Sequence, residues 1–337
     1  MRLIAFAAAA AALLAGPAAA ATFQAEGVTI EDAAAVVEVI PENRSDIDVA
    51  ITPGAALGAP RVSVVNGRVL IDGDLRLTGC SSDGGVERVR IQGRGWVRRA
   101  DLPRIVIRTP RSFDVALGAG VFGRVGASQG GRLAITGCGD TDVAAVSGDL
   151  RLAVTGSGDV SVEAVSGALR ASLTGSGDLE AVSAGGDADL RLTGSGDVTV
   201  GRIGGALNAS VTGSGDLQTG DIARGAELTL TGSGDVSVRE VRGDFSTQIT
   251  GSGDVQAQSV TGASATLRST SSGGVTVSGG RVERLHVRTT GSGGVRFAGA
   301  AEVAEVVING SGDVSIAEAG RVERLIDNGS GTVRVGR

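Results

Sequence analysis

Lysine and tyrosine are missing from this 337-residue chain, and histidine, tryptophan and methionine each occur once. With His286 the only imidazole, in "RLHVRTT", a serine or cysteine hydrolase would depend on that one base, and no GxSxG elbow lies near it. His286 is therefore read as a strand or surface residue. The shortage of Trp and Tyr removes the amphipathic rings on which sugars commonly stack. All 31 basic residues are arginine, and they are interspersed with 37 acids for a net charge of -6. That balance argues against nucleic acid as a partner, since binding through counterion release needs a basic face. After residue 21 no stretch approaches the roughly 20 apolar residues of a membrane-crossing helix.

The first 21 residues, MRLIAFAAAAAALLAGPAAAA, set one Arg before an Ala/Leu/Ile run that ends in small residues. The pattern predicts a secretory signal peptide cut after Ala20 or Ala21. No Cys follows the cut, so a lipoprotein anchor is not expected, and the mature chain is read as soluble and exported. The two cysteines, Cys80 and Cys138, would then enter a compartment where a disulfide persists.

What the chain has in excess is glycine, 56 residues against an ordinary share of about 7%. Much of it sits in one motif. Gly137, Gly156, Gly175, Gly194, Gly213, Gly232 and Gly251 each follow the last by 19 residues. The interval becomes 20 at Ser271 and Gly291, then returns to 19 at Gly310 and Gly329. A period near 20 marks a solenoid, whose thin units bury their apolar faces on one another.

Counted from Gly156, apolar residues fall at places 5, 7, 10, 14, 16 and 18: Val160, Val162, Val165, Leu169, Ala171 and Leu173. Spacing of two means strands with one buried face. Each coil reads as a short strand, a turn at Gly167, a second strand and a Gly-rich corner. The fold class predicted is all-β, a single-stranded parallel β-helix of 19-residue coils. Eleven copies stacked about 4.8 Å apart give a rod of roughly 50 Å. The division expected is a leader (1–21), an irregular β-rich N-terminal cap (22–117) that holds the only Trp, and the solenoid (118–337). "GAGV" at Gly118, one 19-residue step before Gly137, reads as a degenerate first corner.

Cys80 and Cys138 both stand where the motif has Ser. Regular coils between them would place them three layers, about 14 Å, apart, whereas a disulfide needs Cα atoms within about 7 Å. Either the early segment folds back and pairs them, or both stay thiols.

The candidate site is a ladder of one carboxylate per coil: Asp140, Asp159, Asp178, Asp197, Asp216, Asp235, Asp254 and Asp313. Neighbours about 5 Å apart repel by roughly 1 kcal/mol in water, so something must offset them. Shared Ca²⁺ ions would do so, as in nonapeptide calcium rolls. Yet here Asp directly follows Gly and the period is 19, so the reading adopted is turn capping, with no cofactor. A second ladder, Thr155, Thr174, Thr193, Thr212, Thr231 and Thr250, puts a hydroxyl two residues before each motif Ser. Catalytic residues are not assigned. A polysaccharide-active β-helix enzyme using Asp, Ca²⁺ and Arg is the alternative, although its site would be irregular where these positions are uniform.

"RIVIRTPRSFDVALGAG" (residues 104–120), followed by serial "TGSGDV/L" corners, resembles the bacterial family named putative auto-transporter adhesin, head GIN domain. The resemblance covers most of the mature chain. It implies an exported β-solenoid with an adhesin-like or envelope-scaffold role, in the periplasm or at the cell surface, and it supplies no catalytic residues. Nothing after Arg337 could form a translocating barrel, so a complete autotransporter is not expected. The last coil, "GTVRVGR", has no obvious cap, and end-to-end self-association through it is expected.

Overall fold

The computed structural model describes residues 19–83 and 86–336. It is all-β, 69% strand, a parallel solenoid of about 12 turns with coils of about 19 residues. The predicted leader lies outside the described residues up to position 18, and positions 19–21 open the first strand.

One coil shows why these residues stack. In Val160–Val162 and Leu169–Gly175 the residues Val160, Val162, Leu169, Ala171 and Leu173 are buried, while Ser161, Arg170, Ser172 and Thr174 face out. Val165 fills the core between the two strands. Each strand pairs in parallel with its equivalent 19 residues on, as Leu169 with Ala188 and Thr174 with Thr193. A one-residue slip would turn the whole apolar set outward, so the corner must recur at the same place in every coil.

The corner uses glycine for a steric reason. Gly194 adopts φ +132°, and a Cβ there would lie 2.1 Å from the carbonyl oxygen of Gly175 in the coil below. That oxygen instead accepts the N–H of Ser195 at 2.9 Å. Backbone packs on backbone, coil after coil.

The core carries a finer period. Down one inward column run Leu169, Ala188, Leu207, Ala226, Phe245 and Ala265. Beside it run Ala171, Leu190, Ala209, Leu228, Thr247 and Leu267. Each of these six coils therefore holds one large and one small side chain at these two places, and the order reverses in the next. Interiors close-packed like crystals favour this alternation, which keeps the volume per layer nearly constant.

The N-terminal residues continue the stack and then close it. Strands β1 (Ala19–Phe23), β2 (Gly27–Glu31), β3 (Ala34–Glu42), β4 (Ile47–Thr52), β5 (Arg61–Val65) and β6 (Arg68–Asp72) precede a small sheet of β7 (Leu77–Asp83), β8 (Val86–Ile91) and β9 (Gly95–Arg98). After it come β10 (Arg104–Pro110), β11 (Ser112–Val125) and β12 (Gly130–Cys138). β2 and β3 both lie parallel to β11, forming a coil beneath it; β6 and β10 lie parallel beneath β2 and β3. β4 and β5 then pair antiparallel, on β10 and β6, and β1 pairs with β4. The parallel stack thus ends on its N-terminal side in antiparallel strands.

The first corner differs from its sequence reading. β11 pairs with β12 at an offset of 18, which sets Ala119 opposite Gly137 and Gly118 opposite Thr136. The positive φ falls on Ala119, at +70°. Within the continuous strand β11 the residue in the corner position is thus Ala119, one place after Gly118.

Among the described residues, the sheet β7–β8–β9 is antiparallel throughout and shares no strand ladder with the coils. It packs Val89, Ile91 and Val97 against Ala34, Leu102 and Phe122. Its β7 is thus not a coil, and three-layer spacing does not apply to Cys80. The sheet lies on the flank of the first coils, where Cys80 and Cys138 form a disulfide with Cα atoms 6.0 Å apart.

Candidate functional site

The aspartate ladder is built by the corner. Each Asp follows a buried glycine, Gly177 before Asp178 and Gly196 before Asp197, and projects from the turn toward the next coil. There its Oδ1 accepts a backbone N–H. Asp197 donates to Asp178 at 2.7 Å, Asp216 to Asp197 at 2.8 Å, Asp235 to Asp216 at 2.8 Å and Asp254 to Asp235 at 2.8 Å. Asp178 donates to Asp159 at 2.9 Å and Asp159 to Asp140 at 3.4 Å. Where the following coil has no Asp, the bond survives: Gly274 donates to Asp254 and Thr332 to Asp313, both at 2.7 Å. The ladder is thus a run of charge-assisted fastenings between coils, each satisfying an N–H that the turn leaves free.

Turn chemistry read along the sequence treats Asp as capping its own turn; the partner here is one coil away. Asp149, Asp187 and Asp244, at the opposite bend, do the same for the N–H groups of Ala168, Ala206 and Ser264 at 2.8–2.9 Å. Sequence reasoning missed this second set because Asp occupies only some coils, although Asp149 and Asp187 stand two periods apart.

Among the described residues, no group of three or more His, Cys, Asp and Glu side chains converges as metal ligands would. Asp140, at the foot of the ladder, lies beside the small sheet. Desolvation beside the small sheet is the main cause that lifts its carboxyl above the ordinary aspartate value, opposed by the Asp159 N–H and reinforced by the charges of Asp159 and Glu87.

The threonine row is exposed and in register: Thr155, Thr174, Thr193, Thr212, Thr231 and Thr250 face solvent from the ends of successive strands. The structure extends it to Thr136 below and Thr270 and Thr290 above. Asn309 and Asn328 follow, with Asn328 Nδ2 donating to Asn309 Oδ1 at 3.0 Å. His286 lies on an outer strand face, its Nδ1 3.2 Å from Oε2 of Glu305 in the next coil. This is a pair contact between coils, with no nucleophile in it.

One concave feature was not foreseen. Between the disulfide-tied sheet and the first coils lies a cleft of about 920 Å³ whose lining includes Arg98, Arg99, Arg104, Arg124, Glu38 and Glu87. Arg99 is salt-bridged to Glu87 and stacks over the Phe122 ring, 4.9 Å from its centroid. Arg98 is held by Asp101 at 2.9 Å.

Residues 222–336 match the model of a family described as "Putative auto-transporter adhesin, head GIN domain". The resemblance carried by the serial GSGD corners thus holds over the C-terminal coils. No curated protein matches the chain. Among solved structures, a putative adhesin from Bacteroides fragilis NCTC 9343 aligns over 72% of this chain and 97% of its own, at 14% identity and a TM-score of 0.41. A putative lipid binding protein from Parabacteroides distasonis ATCC 8503 aligns over 96% and 98%, at 13% identity and a TM-score of 0.28.

Proposed function

We propose that this chain is an exported, non-enzymatic β-solenoid that serves as an adhesin-like or envelope interaction scaffold. The carrying observation is the use made of the aspartate ladder. Each bonded carboxylate holds the next coil's backbone, so the regular acids act as fastenings, and what the coils present outward is repeated rows of side chains. Rows repeated at fixed spacing suit many weak, equivalent contacts, whose avidity exceeds that of any one of them. The family match over residues 222–336 supports the same reading. Action without metal belongs to it as well, and a melting temperature shifted by chelator would count against that part.

Self-association is the second element of the proposal. In Val314–Asp327 the segment from Arg321 onward pairs with Val295–Ile308 on one side, and its Val322 and Leu325 are 40% and 53% exposed. This open strand edge, two exposed apolar side chains set among Arg321, Glu323, Arg324 and Asp327, offers a pairing surface to a second copy. Sedimentation should show concentration-dependent dimers that Leu325→Glu abolishes; a monomer at high concentration refutes it.

Protease shaving of intact cells expressing the tagged chain tests the location. Cleavage without lysis is the result expected of an adhesin. Protection until the outer membrane is opened overturns surface adhesion and leaves the envelope scaffold; retention in the cytosol overturns both.

A further inference from the structure

The arginines that the sequence leaves interspersed are gathered by the coil register. Arg132, Arg151 and Arg170 occupy the same outward column in three successive coils, Arg132 opposite Arg151 and Arg151 opposite Arg170. All three are exposed. Like charges directly opposite on adjacent strands are destabilising, and these lack the relief that the aspartates have, because a guanidinium cannot accept the next coil's N–H.

The carboxylates nearby are already engaged. Below the row, Asp114 accepts from Arg68 at 2.9 Å and stands 3.8 Å from Arg132. Above it, Asp189 pairs with Arg191 at 3.3 Å, and Asp187 with Arg224 at 2.7 Å. At the bend before Arg151, Asp149 holds the Ala168 N–H. Arg151 and Arg170 form no ion pair among the described residues. Alongside the row run two columns of small or hydroxyl side chains, Ala134, Ala153 and Ser172, then Thr136, Thr155 and Thr174. The result is a shallow face with three cations about 4.8 Å apart along the solenoid axis, bordered by hydroxyls.

We propose that this face binds an acidic polysaccharide laid along the axis, its carboxylate or sulfate groups meeting Arg132, Arg151 and Arg170 and its hydroxyls meeting Ser172 and the Thr column. A guanidinium engages such groups through paired N–H donors, so the site needs none of the aromatic stacking the chain lacks. Nucleic acid fits less well, because no aromatic stands in these columns to stack a base. The proposal deepens the scaffold reading and rests on it.

The test uses the purified full chain, so its outcome is independent of where the protein resides in the cell. Binding to polygalacturonate, dextran sulfate, neutral dextran and a single-stranded thymidine oligonucleotide is measured across a series of NaCl concentrations. Binding to one or both charged polysaccharides is expected, with neutral dextran inert; which polymer binds identifies carboxylate or sulfate. The slope of log K against log salt should be about -2 to -3 for three contacts. Arg151→Gln should reduce that slope by about 1, and the triple change Arg132→Gln, Arg151→Gln, Arg170→Gln should weaken low-salt binding by about tenfold or more. A control of equal charge change at exposed arginines that are already ion-paired, Arg61→Gln with Arg239→Gln and Arg242→Gln, should bind within about twofold of the parent. Equal loss in both triples, no binding to either charged polysaccharide, or tighter binding to the oligonucleotide would overturn the proposal.

Discussion

Replacing Asp197 by Asn separates the two forces acting on the ladder. Its Oδ1 accepts the Asp216 N–H at 2.8 Å while its own N–H donates to Asp178 at 2.7 Å. The amide keeps an acceptor in the same place, and Asn328 on Asn309 shows that amides stack comfortably one coil apart. What changes is charge. Asp178 and Asp216 sit one coil away on either side, about 4.8 Å, and each repels Asp197 by about 0.9 kcal/mol in water. In 10 mM salt nearly all of that sum survives, about 1.5 kcal/mol for the pair, whereas in 1 M salt about 0.35 kcal/mol remains. Against this, a neutral acceptor gives up about half the strength of a charged one, a loss of about 1 kcal/mol. Asp197→Asn should therefore stabilise by about 0.5 kcal/mol in 10 mM NaCl and destabilise by about 0.6 kcal/mol in 1 M NaCl. Asp197→Ala relieves the same repulsion but loses the whole bond, so it should lie about 1 kcal/mol below Asn at both salts. Urea unfolding at the two concentrations reads the sign, and amide exchange at Asp216 reads the bond itself. Salt-independent destabilisation of Asn to the level of Ala would refute this account of the ladder.

The disulfide closes a separation of 58 residues, for which chain entropy gives about 4 kcal/mol; reduction should loosen β7–β9 first, seen as faster amide exchange at Val89 and Ile91, and unchanged exchange would refute it. Gly194→Ala puts a Cβ 2.1 Å from the Gly175 carbonyl oxygen at a φ that suits glycine, so a loss of about 3 kcal/mol or more, with poor soluble yield, is expected. Asp140→Asn should raise the urea midpoint at pH 7. Burial lifts the folded-state pKa above the ordinary value of 3.8, so the stabilising contribution of the native carboxyl is present below that value and lost as pH rises through the folded one. The gain from Asn should therefore vanish below pH 3.8, and a gain that persists there would contradict the assignment. Ala188→Leu crowds a layer already holding Leu190 and should cost about 1–3 kcal/mol by urea unfolding; adding Leu190→Ala should recover part of it, and no recovery would argue against layer-volume matching.

The parallel coil, its strands and its corner were legible because each rests on residue types that must recur: glycine where only a bare backbone fits, alternating apolar residues where one face is buried. The first corner was misplaced by one residue because β11 pairs at an offset of 18, and a single non-repeating unit offers no second copy against which to check its phase. The disulfide stayed open for a related reason: extrapolating the period to Cys80 assumed a coil where the chain makes a separate antiparallel sheet. The direction of the aspartate bonds was hidden too, since Oδ1 of Asp178 finds its partner 19 residues on, beyond any local turn rule. Reading one coil at a time also averaged away the two-coil alternation of Leu and Ala, although it is written plainly at Leu169, Ala188 and Leu207.

A solenoid forces like residues into register, so any charged position in the repeat becomes a row of like charges. The two rows considered above meet that constraint in opposite ways, and the difference follows from donor chemistry. A carboxylate on a corner can accept the N–H of the next coil, which turns a repulsive column into a fastening that strengthens the stack; this explains why Asp is kept at nearly every GSGD corner. A guanidinium has only donors to offer, and on an outward strand face the neighbouring carbonyls and N–H groups are already engaged in the parallel ladder. An arginine column can be neutralised only by acids placed beside it or by a partner from outside. At Asp114 and Asp189 the chain supplies such acids at the two ends of its longest arginine column, each already in contact with another arginine. At Arg151, in the middle, it supplies none. The uncompensated centre of that column is the place where an anionic partner gains most, because there it meets cations that no residue of the described chain neutralises.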